Sequence, residues 1–297
     1  MKNKIIIGVD LGGTKIMTGA VTPEGKVVGA PVKVLTGSSD SKELIFRRIT
    51  SSIEQTIASL GLSADEIEGI GIGSTGPLDL TNGTILECPQ LPSMHYFPLK
   101  DAVADHFGIK VVLNNDANCL ILCESVFGAA AGKETVAGFT LGTGLGCALI
   151  FNRHIFSGAT GTAAEIWPSP YQSGSIEDYV CGAGVSSIYR SLTGLSKSSL
   201  EIYNMAVSGN NAALQTWNEF GKHLAVPVAW TINLIDPDVV VIGGSVAKAF
   251  RFFENTMVEN LSKWICPVPA QVTKVVPAKL GDLAGFIGAA CLVITDN

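Results

Sequence analysis

Two short glycine–threonine turns constrain this chain more than any other feature. The first is Gly8–Lys15, reading Gly-Val-Asp-Leu-Gly-Gly-Thr-Lys, and the second is Leu141–Gly146, reading Leu-Gly-Thr-Gly-Leu-Gly. Each lies between β-branched runs: Lys4–Asp10 and Lys15–Val21 flank the first, Thr135–Leu141 and Gly146–Phe151 the second. Such a run reads as a strand, and the glycines as the turn that reverses it. Backbone N–H groups in a turn of this kind, with a threonine hydroxyl, can cradle a phosphate. Gly-Gly is equally at home in an ordinary hairpin. Taken singly each turn is weak; the pair, about 130 residues apart, points to two related halves that share one triphosphate.

The spacing between the turns fills in an α/β chain. A third strand is expected over Lys26–Leu35, then a helix from Ser41 to Leu60 with Leu44, Ile45, Ile49, Ile53, Ile57 and Leu60 on one face. Ile67–Gly73 reads as a buried strand, Asp101–Phe107 as a short helix, Lys110–Leu113 as a strand, and Asp116–Gly128 as a helix. In the second half, Ala212–Ile235 reads as a long helix with a kink at Pro227. Val239–Ile242 is a strand, a helix runs on to Trp264, Val272–Val276 is a last strand and Asp282–Ile294 a last helix.

Composition narrows the function classes. Hydrophobic residues make up 47% of the 297 and charged residues 15%, which excludes a disordered chain. The net charge is −6 and no stretch is basic for more than two residues, so no nucleic-acid partner is expected. The opening Met1–Asp10 carries an apolar run too short for a signal peptide, and Val136–Phe151 is broken by glycines and too short to span a bilayer. The expectation is a cytoplasmic protein with no membrane partner. The seven cysteines (Cys88, Cys119, Cys123, Cys147, Cys181, Cys266, Cys291) then read as reduced, buried thiols. Cys119 and Cys123 have a metal-ligand spacing on paper but read as core. His95, His106, His154 and His223 read as scattered and unpaired, with no role.

A third motif, Leu113–Asn118 (Leu-Asn-Asn-Asp-Ala-Asn), joins a strand to a helix. Asn or Asp there is a routine N-cap. The same position also suits Asp116 as a general base for a substrate hydroxyl.

In order along the chain, Asp10 with Gly12-Gly13-Thr14-Lys15, Asn115-Asp116, Gly142-Thr143-Gly144, Leu234–Ser245 (Leu-Ile-Asp-Pro-Asp-Val-Val-Val-Ile-Gly-Gly-Ser) and Ala278–Ala290 resemble the ROK (repressor, open reading frame, kinase) sugar kinases. The resemblance runs from residue 5 to about 291. It implies an actin-like, hexokinase-like ATPase fold of duplicated ribonuclease H-like halves, with ATP and sugar in a cleft between two domains. Those domains are expected at 1–115 plus 281–297 (small) and 116–280 (large). It implies transfer of a phosphoryl group from Mg-ATP to a hexose hydroxyl, generally the 6-hydroxyl, with glucose the default and an N-acetylhexosamine or another hexose the alternative. A sugar sensor without catalysis is a further alternative.

The resemblance also assigns residues. Asp116 matches the catalytic base, and Asn115 a sugar-binding residue. Gly12, Gly13, Thr14 and Lys15 match one ATP-binding loop, and Gly142, Thr143 and Gly144 the other. Asp10 would place Mg²⁺ through water, and Gly243-Gly244 would face adenosine. Gly76, in Gly73–Pro77, matches a turn lining the sugar side, with Thr75 where the family has Pro; Gln90 stands where it has Asn. Glu165 and Glu177 match two sugar-binding glutamates.

The chain departs from the family after Glu165. Trp167 and Pro168 stand where the family has a Gly-His pair whose His meets sugar and zinc, and Pro168–Glu177 replaces a cysteine-rich zinc segment, with Ser175 in its last cysteine position. Zinc needs about four N or S ligands, so no zinc is expected. Trp167 would stack on the sugar or pack where the metal segment lies in relatives. The family's repressors carry an N-terminal helix-turn-helix, and this chain opens on the first turn, so a DNA-binding regulator is not expected. A homodimer is implied by the resemblance.

Overall fold

Residues 4–296 are described by the structure, a computed structural model; Lys2 in the basic opening segment lies outside them. Within these residues the chain forms two compact units: residues 4–131 with 153–162 and 280–296, and Gly132–Asn152 with Ala163–Lys279.

Unit 1 is built on a five-stranded sheet. Strands β1 (Ile5–Leu11), β2 (Lys15–Val21), β3 (Val27–Leu35), β4 (Ile67–Ser74) and β5 (Val111–Asn115) stand in the order β3-β2-β1-β4-β5. The first three form an antiparallel meander and the last two run parallel to β1. One face of β1 and β4 presents Ile7, Val9, Ile70 and Ile72 to a core shared with Ile45, Ile49 and Ile53 of helix α1 (Lys42–Leu60). Leu44, expected on that helix face, is exposed. A shorter helix, α2 (Leu99–Phe107), adds Leu99 and Val103 to the same core.

The other face is made of glycine. Gly69 and Gly71 alternate along β4, and α8 (Ala284–Thr295) lies on them so closely that a Cβ on Gly71 would come 2.5 Å from the Ala289 carbonyl carbon. Helix α3 (Asp116–Val126) in turn meets α8 backbone to backbone: a Cβ on Gly288 would lie 2.5 Å from the Cys119 carbonyl carbon. That approach keeps α3 with unit 1, so the first unit ends after Ala131 and not at residue 115, and it also takes in residues 153–162.

Unit 2 repeats the strand pattern. Strands β6 (Thr135–Leu141), β7 (Leu145–Phe151), β8 (Val239–Gly243) and β9 (Lys274–Pro277) order as β7-β6-β8-β9, with β7 antiparallel to β6 and the others parallel. This matches β2-β1-β4-β5 of unit 1 strand for strand, which is the duplication anticipated from the two turns. Its core joins Phe139, Leu141, Val240 and Ile242 to Trp217 and Phe220 of the long helix Asn211–Ile235 and to Phe253 of Phe250–Trp264. Pro227 lies inside the first of these helices, where the Thr231 hydroxyl donates to its carbonyl at 2.9 Å.

Two helices absent from the sequence-based expectation, Gly182–Thr193 and Ser199–Val207, complete α4 to α7 in chain order. No helix among the described residues is long and apolar enough to cross a membrane.

All seven cysteines are free, but only six are buried. Cys266 is exposed, because it follows the end of α7 on the surface, where its N–H donates to Asn233. The expectation of unpaired histidines is corrected too. His95 bonds the Cys88 carbonyl at 3.0 Å, His106 pairs with Glu54 at 3.0 Å, and His223 bonds the Tyr171 hydroxyl at 3.0 Å. His154 also has an interaction partner.

Candidate active site

In unit 1 the candidate residues gather at the C-terminal ends of β1, β4 and β5. Asp10 is next to last in β1, in register with Gly73 of β4. Its carboxylate is pressed against the start of α8, where a Cβ on Gly285 would lie 2.5 Å from Oδ2. Burial pushes its pKa up and Lys15 pulls it back. A carboxylate desolvated in this way is stabilised by a cation, and a hard oxygen donor at a strand end suits Mg²⁺.

The β1–β2 turn is held from several sides. Gly12 N–H donates to Lys15 O at 3.0 Å, the Thr36 hydroxyl donates to Gly12 O at 2.6 Å, and Thr36 N–H donates to Thr14 O at 3.0 Å. Arg48, itself paired with Asp40 at 2.7 Å, donates to Thr36 O and so locks that support in place. Gly13 has no room for a side chain: a Cβ would lie 2.9 Å from Cβ of Gln90. Gln90, which stands where the family has Asn, therefore packs against this turn.

Asn115 ends β5 and caps α3, accepting Ala117 N–H on Oδ1 at 2.9 Å, while Asp116 Oδ1 accepts the same N–H at 2.7 Å. Asn115 is the N-cap of α3, and its Nδ2 faces Gly76, where a Cβ would approach to 3.2 Å. Asn114 fixes the strand end by accepting from Asn115 N–H and Asn118 Nδ2. Behind Asp116 lies Cys119, whose thiol is held well above its usual pKa by burial and by the carboxylates of Asp116 and Asp10. Cys123 is also pushed up, by its neighbour Cys291 and by burial. These are neutral packing groups, as expected.

In unit 2 the second turn is tied just as firmly. Gly142 N–H donates to Gly144 O at 3.0 Å and Gly182 N–H to Gly142 O at 2.8 Å. Gly244, at φ +87, stands so near β6 that a Cβ would lie 2.7 Å from Leu141 N, which brings the Gly243-Gly244 motif to the foot of the turn. Glu177 Oε2 accepts Leu145 N–H at 2.7 Å.

Glu165 lies near Glu177 and its pKa is raised, first by burial and then by that neighbour. The Trp167 indole N–H beside Glu165 favours its charged form and opposes the rise; an indole can only donate. Trp167 is 45% exposed, so it is not core packing. Cys147, behind Glu165, is pushed up to about 12 by burial and that carboxylate.

The segment after Trp167 folds as a hairpin pairing Pro170 with Ser175 and Tyr171 with Gly174. Ser175 donates through both N–H and hydroxyl to Asp178 at 2.8 Å. Tyr171, Tyr179 and His223 cluster behind it with ring centroids 5.0–5.8 Å apart. Sequence reasoning missed this cluster, since His223 is more than 40 residues from the tyrosines. Among the described residues no group of three His, Cys, Asp or Glu is arranged to hold a metal ion.

Comparison with known proteins identifies this layout. The ROK family matches residues 6–296. The chain is 29% identical to a glucokinase of Thermotoga maritima, covering 97% of this chain and 96% of that one. It is 32% identical to an N-acetyl-D-glucosamine kinase of Photobacterium profundum, covering 97% and 98%. Among solved structures, a ROK family glucokinase from Streptomyces griseus in complex with glucose and AMPPNP superposes with a TM-score of 0.81 at 28% identity, covering 97% and 98%.

Proposed function

The chain belongs to the ROK family and is a sugar kinase of it; from that premise we propose that it transfers the γ-phosphoryl group of ATP to the 6-hydroxyl of a hexose, with Asp116 as general base. The observation that carries this is the β5–α3 junction. It mounts the Asp116 carboxylate on the first residue of a helix, beside an asparagine amide facing Gly76. A base for a sugar hydroxyl needs such a rigid mount, because proton transfer falls off steeply with misplacement.

The remaining roles follow the residues. In unit 1, Gly12, Gly13, Thr14 and Lys15 hold phosphate; in unit 2, Gly142, Thr143 and Gly144 do so, with Gly243 and Gly244 toward adenosine. Phosphoryl transfer asks for positioning and charge stabilisation more than covalent chemistry, and fixed backbone N–H groups supply both. Asp10 would hold Mg²⁺ through water, and the ion supplies neutralisation of charge on the phosphates. Asn115, Gly76, Glu165 and Glu177 are on the sugar side.

Glucose is the default substrate, supported by the glucokinase relatives; the N-acetyl-D-glucosamine kinase relative, equally well covered, keeps an N-acetylhexosamine as the second reading. Absence of zinc belongs to the proposal. So do a homodimer, which rests on the family resemblance alone, and a cytoplasmic setting, which rests on the reading of the cysteines as reduced thiols.

Coupled ADP release with Mg-ATP against a panel of hexoses and N-acetylhexosamines tests it. Turnover on one sugar is expected. A flat panel from protein that still binds nucleotide would overturn the kinase reading and favour a sensor.

A further inference from the structure

The hairpin at residues 170–175 stands where the family has its cysteine-rich segment, and residues 168–180 include no cysteine. Its side chains are tied in another way. Three hydrogen bonds close the segment on itself: Gln172 Nε2 donates to the Tyr171 hydroxyl at 3.2 Å, Ser173 pairs with the Tyr179 hydroxyl at 2.9 Å, and the Ser175 hydroxyl donates to Asp178 at 2.8 Å. A fourth reaches another element, joining the Tyr171 hydroxyl to Nδ1 of His223 at 3.0 Å, on the long helix Asn211–Ile235. Since Gln172 donates to the tyrosine oxygen, the tyrosine proton is free to go to His223, which accepts it as a neutral imidazole. Burial holds the His223 pKa below its ordinary value; Glu219, 4.0 Å from Nε2, opposes that and Lys222 assists it.

His223 also holds the short helix that follows the hairpin. Its ring centroid lies 5.0 Å from that of Tyr179 and 5.8 Å from that of Tyr171, and the two tyrosines meet edge-on at 5.1 Å. Tyr179 is on the helix Glu177–Val180, two residues after Glu177. At about 100° per residue, these two side chains project from opposite flanks of the helix. Ile176 and Val180 lie between them on the core side, where both are buried. A helix of one turn has little cooperativity of its own to hold it in place. A roll about its core contact that frees Tyr179 also swings the Glu177 carboxylate, so the ring packed on Tyr179 sets where Glu177 points.

We propose that Tyr171 and His223 are positioning residues, whose hydrogen bond clasps the hairpin and the Glu177 helix to the long helix and so fixes a sugar-side carboxylate from the place where the family has its zinc segment. The proposal rests on the reading of Glu177 as a sugar ligand.

The test combines steady-state kinetics across the hexose and N-acetylhexosamine panel with hydrogen exchange of the amides of residues 171–180, read by mass spectrometry on sugar-free protein. Tyr171→Phe keeps the ring and deletes one neutral hydrogen bond, so the sugar KM is expected to rise about two- to tenfold, kcat to change by less, and the segment's amides to exchange faster. His223→Leu should do at least as much. His223→Asn, which returns an amide oxygen near the position of Nδ1, should recover part of the loss. The double variant Tyr171→Phe/His223→Leu should be no worse than His223→Leu alone, because both changes remove the same bond. Leu261→Ala, which opens a cavity elsewhere in the unit 2 core, is the control: it should lower Tm and leave the sugar KM in place. A sugar KM unmoved by Tyr171→Phe and His223→Leu, or raised equally by Leu261→Ala, would overturn the assignment, as would effects that add in the double variant. Should the wild type phosphorylate no sugar of the panel, the kinase reading falls and the exchange decides the clasp. Faster exchange of residues 171–180 in Tyr171→Phe than in Leu261→Ala leaves it standing, and equal exchange sinks it.

Discussion

Replacing Gly71 by alanine should loosen α8 from the sheet of unit 1 and, through α8, disturb Asp10. The added Cβ would meet the Ala289 carbonyl carbon at 2.5 Å and Ala290 N at 3.1 Å, against ordinary contacts of 3.4 Å and more. Relief requires α8 to withdraw by roughly 1 Å, and α8 is buried along most of its length, so it has nowhere to go. Overpacking a core usually costs about 1–3 kcal/mol, and a clash with helix backbone belongs at the top of that range. Removing glycine freedom from the unfolded chain returns about 0.4–1 kcal/mol. The net expectation is a loss of about 2–3 kcal/mol.

Gly69→Ala, two residues earlier on the same strand face, is the internal control. There the Cβ meets a Val293 methyl at 2.8 Å, and a side chain can turn aside, so a loss of about 1 kcal/mol or less is expected. All four tryptophans lie in unit 2, so tryptophan fluorescence would miss the event. Hydrogen exchange of the α8 amides, followed by mass spectrometry, reads it directly. Because Gly285 of the same helix abuts Asp10, the variant should also weaken nucleotide binding. Equal protection of α8 in wild type, Gly69→Ala and Gly71→Ala would refute the reasoning.

Other expectations follow from single contacts. Asp116→Asn should lower kcat by at least about 10²-fold with sugar binding retained by calorimetry; substantial residual turnover would remove Asp116 as the base. Trp167→Phe keeps the ring and deletes the donor to Glu165, so the sugar KM should rise by about two- to tenfold, the partial exposure holding the effect down. An unchanged KM would mean that the indole N–H does not serve Glu165. Burial raises the Glu165 pKa above 4.5, so its acceptor charge is lost as pH falls through that raised value. The sugar KM should accordingly climb in acid at a higher pH than an ordinary carboxylate gives, and Trp167→Phe should move that limb higher still. Purified protein should carry well under one zinc per chain by metal analysis and resist zinc-selective chelation; near-stoichiometric zinc would overturn the zinc-free reading.

The strands were legible because they are written twice. Ile67–Ser74 alternates isoleucine with glycine, and that pattern says both that the strand is buried and that something packs close on its bare face. It cannot say what, since Ala289 and Ala290 lie about 220 residues away, and the same long-range approach through Gly288 moves α3 into unit 1. The missed helix Ser199–Val207 had a readable signal, the capping box in which Ser198 and Glu201 satisfy each other's backbone N–H groups.

The candidate site divides along the same line. The turns at Gly12-Gly13 and Gly142–Gly144 could be read from sequence because glycine's freedom is local. Side chains that work by reaching another element could not. Glu177 finds Leu145, Gln90 packs on Gly13, and Trp167 stands beside Glu165, one residue before the position where the family has a histidine. A zinc segment and an aromatic hairpin can both hold a carboxylate in place, because what a sugar pocket asks of its support is a fixed orientation, whatever supplies it. In this chain Tyr171 of the hairpin that follows Trp167 packs on Tyr179, which packs on His223. On the proposed reading, the departure from the family motif changes the support beneath Glu165 and Glu177 while both carboxylates stay, and substrate preference is the property most exposed to that change.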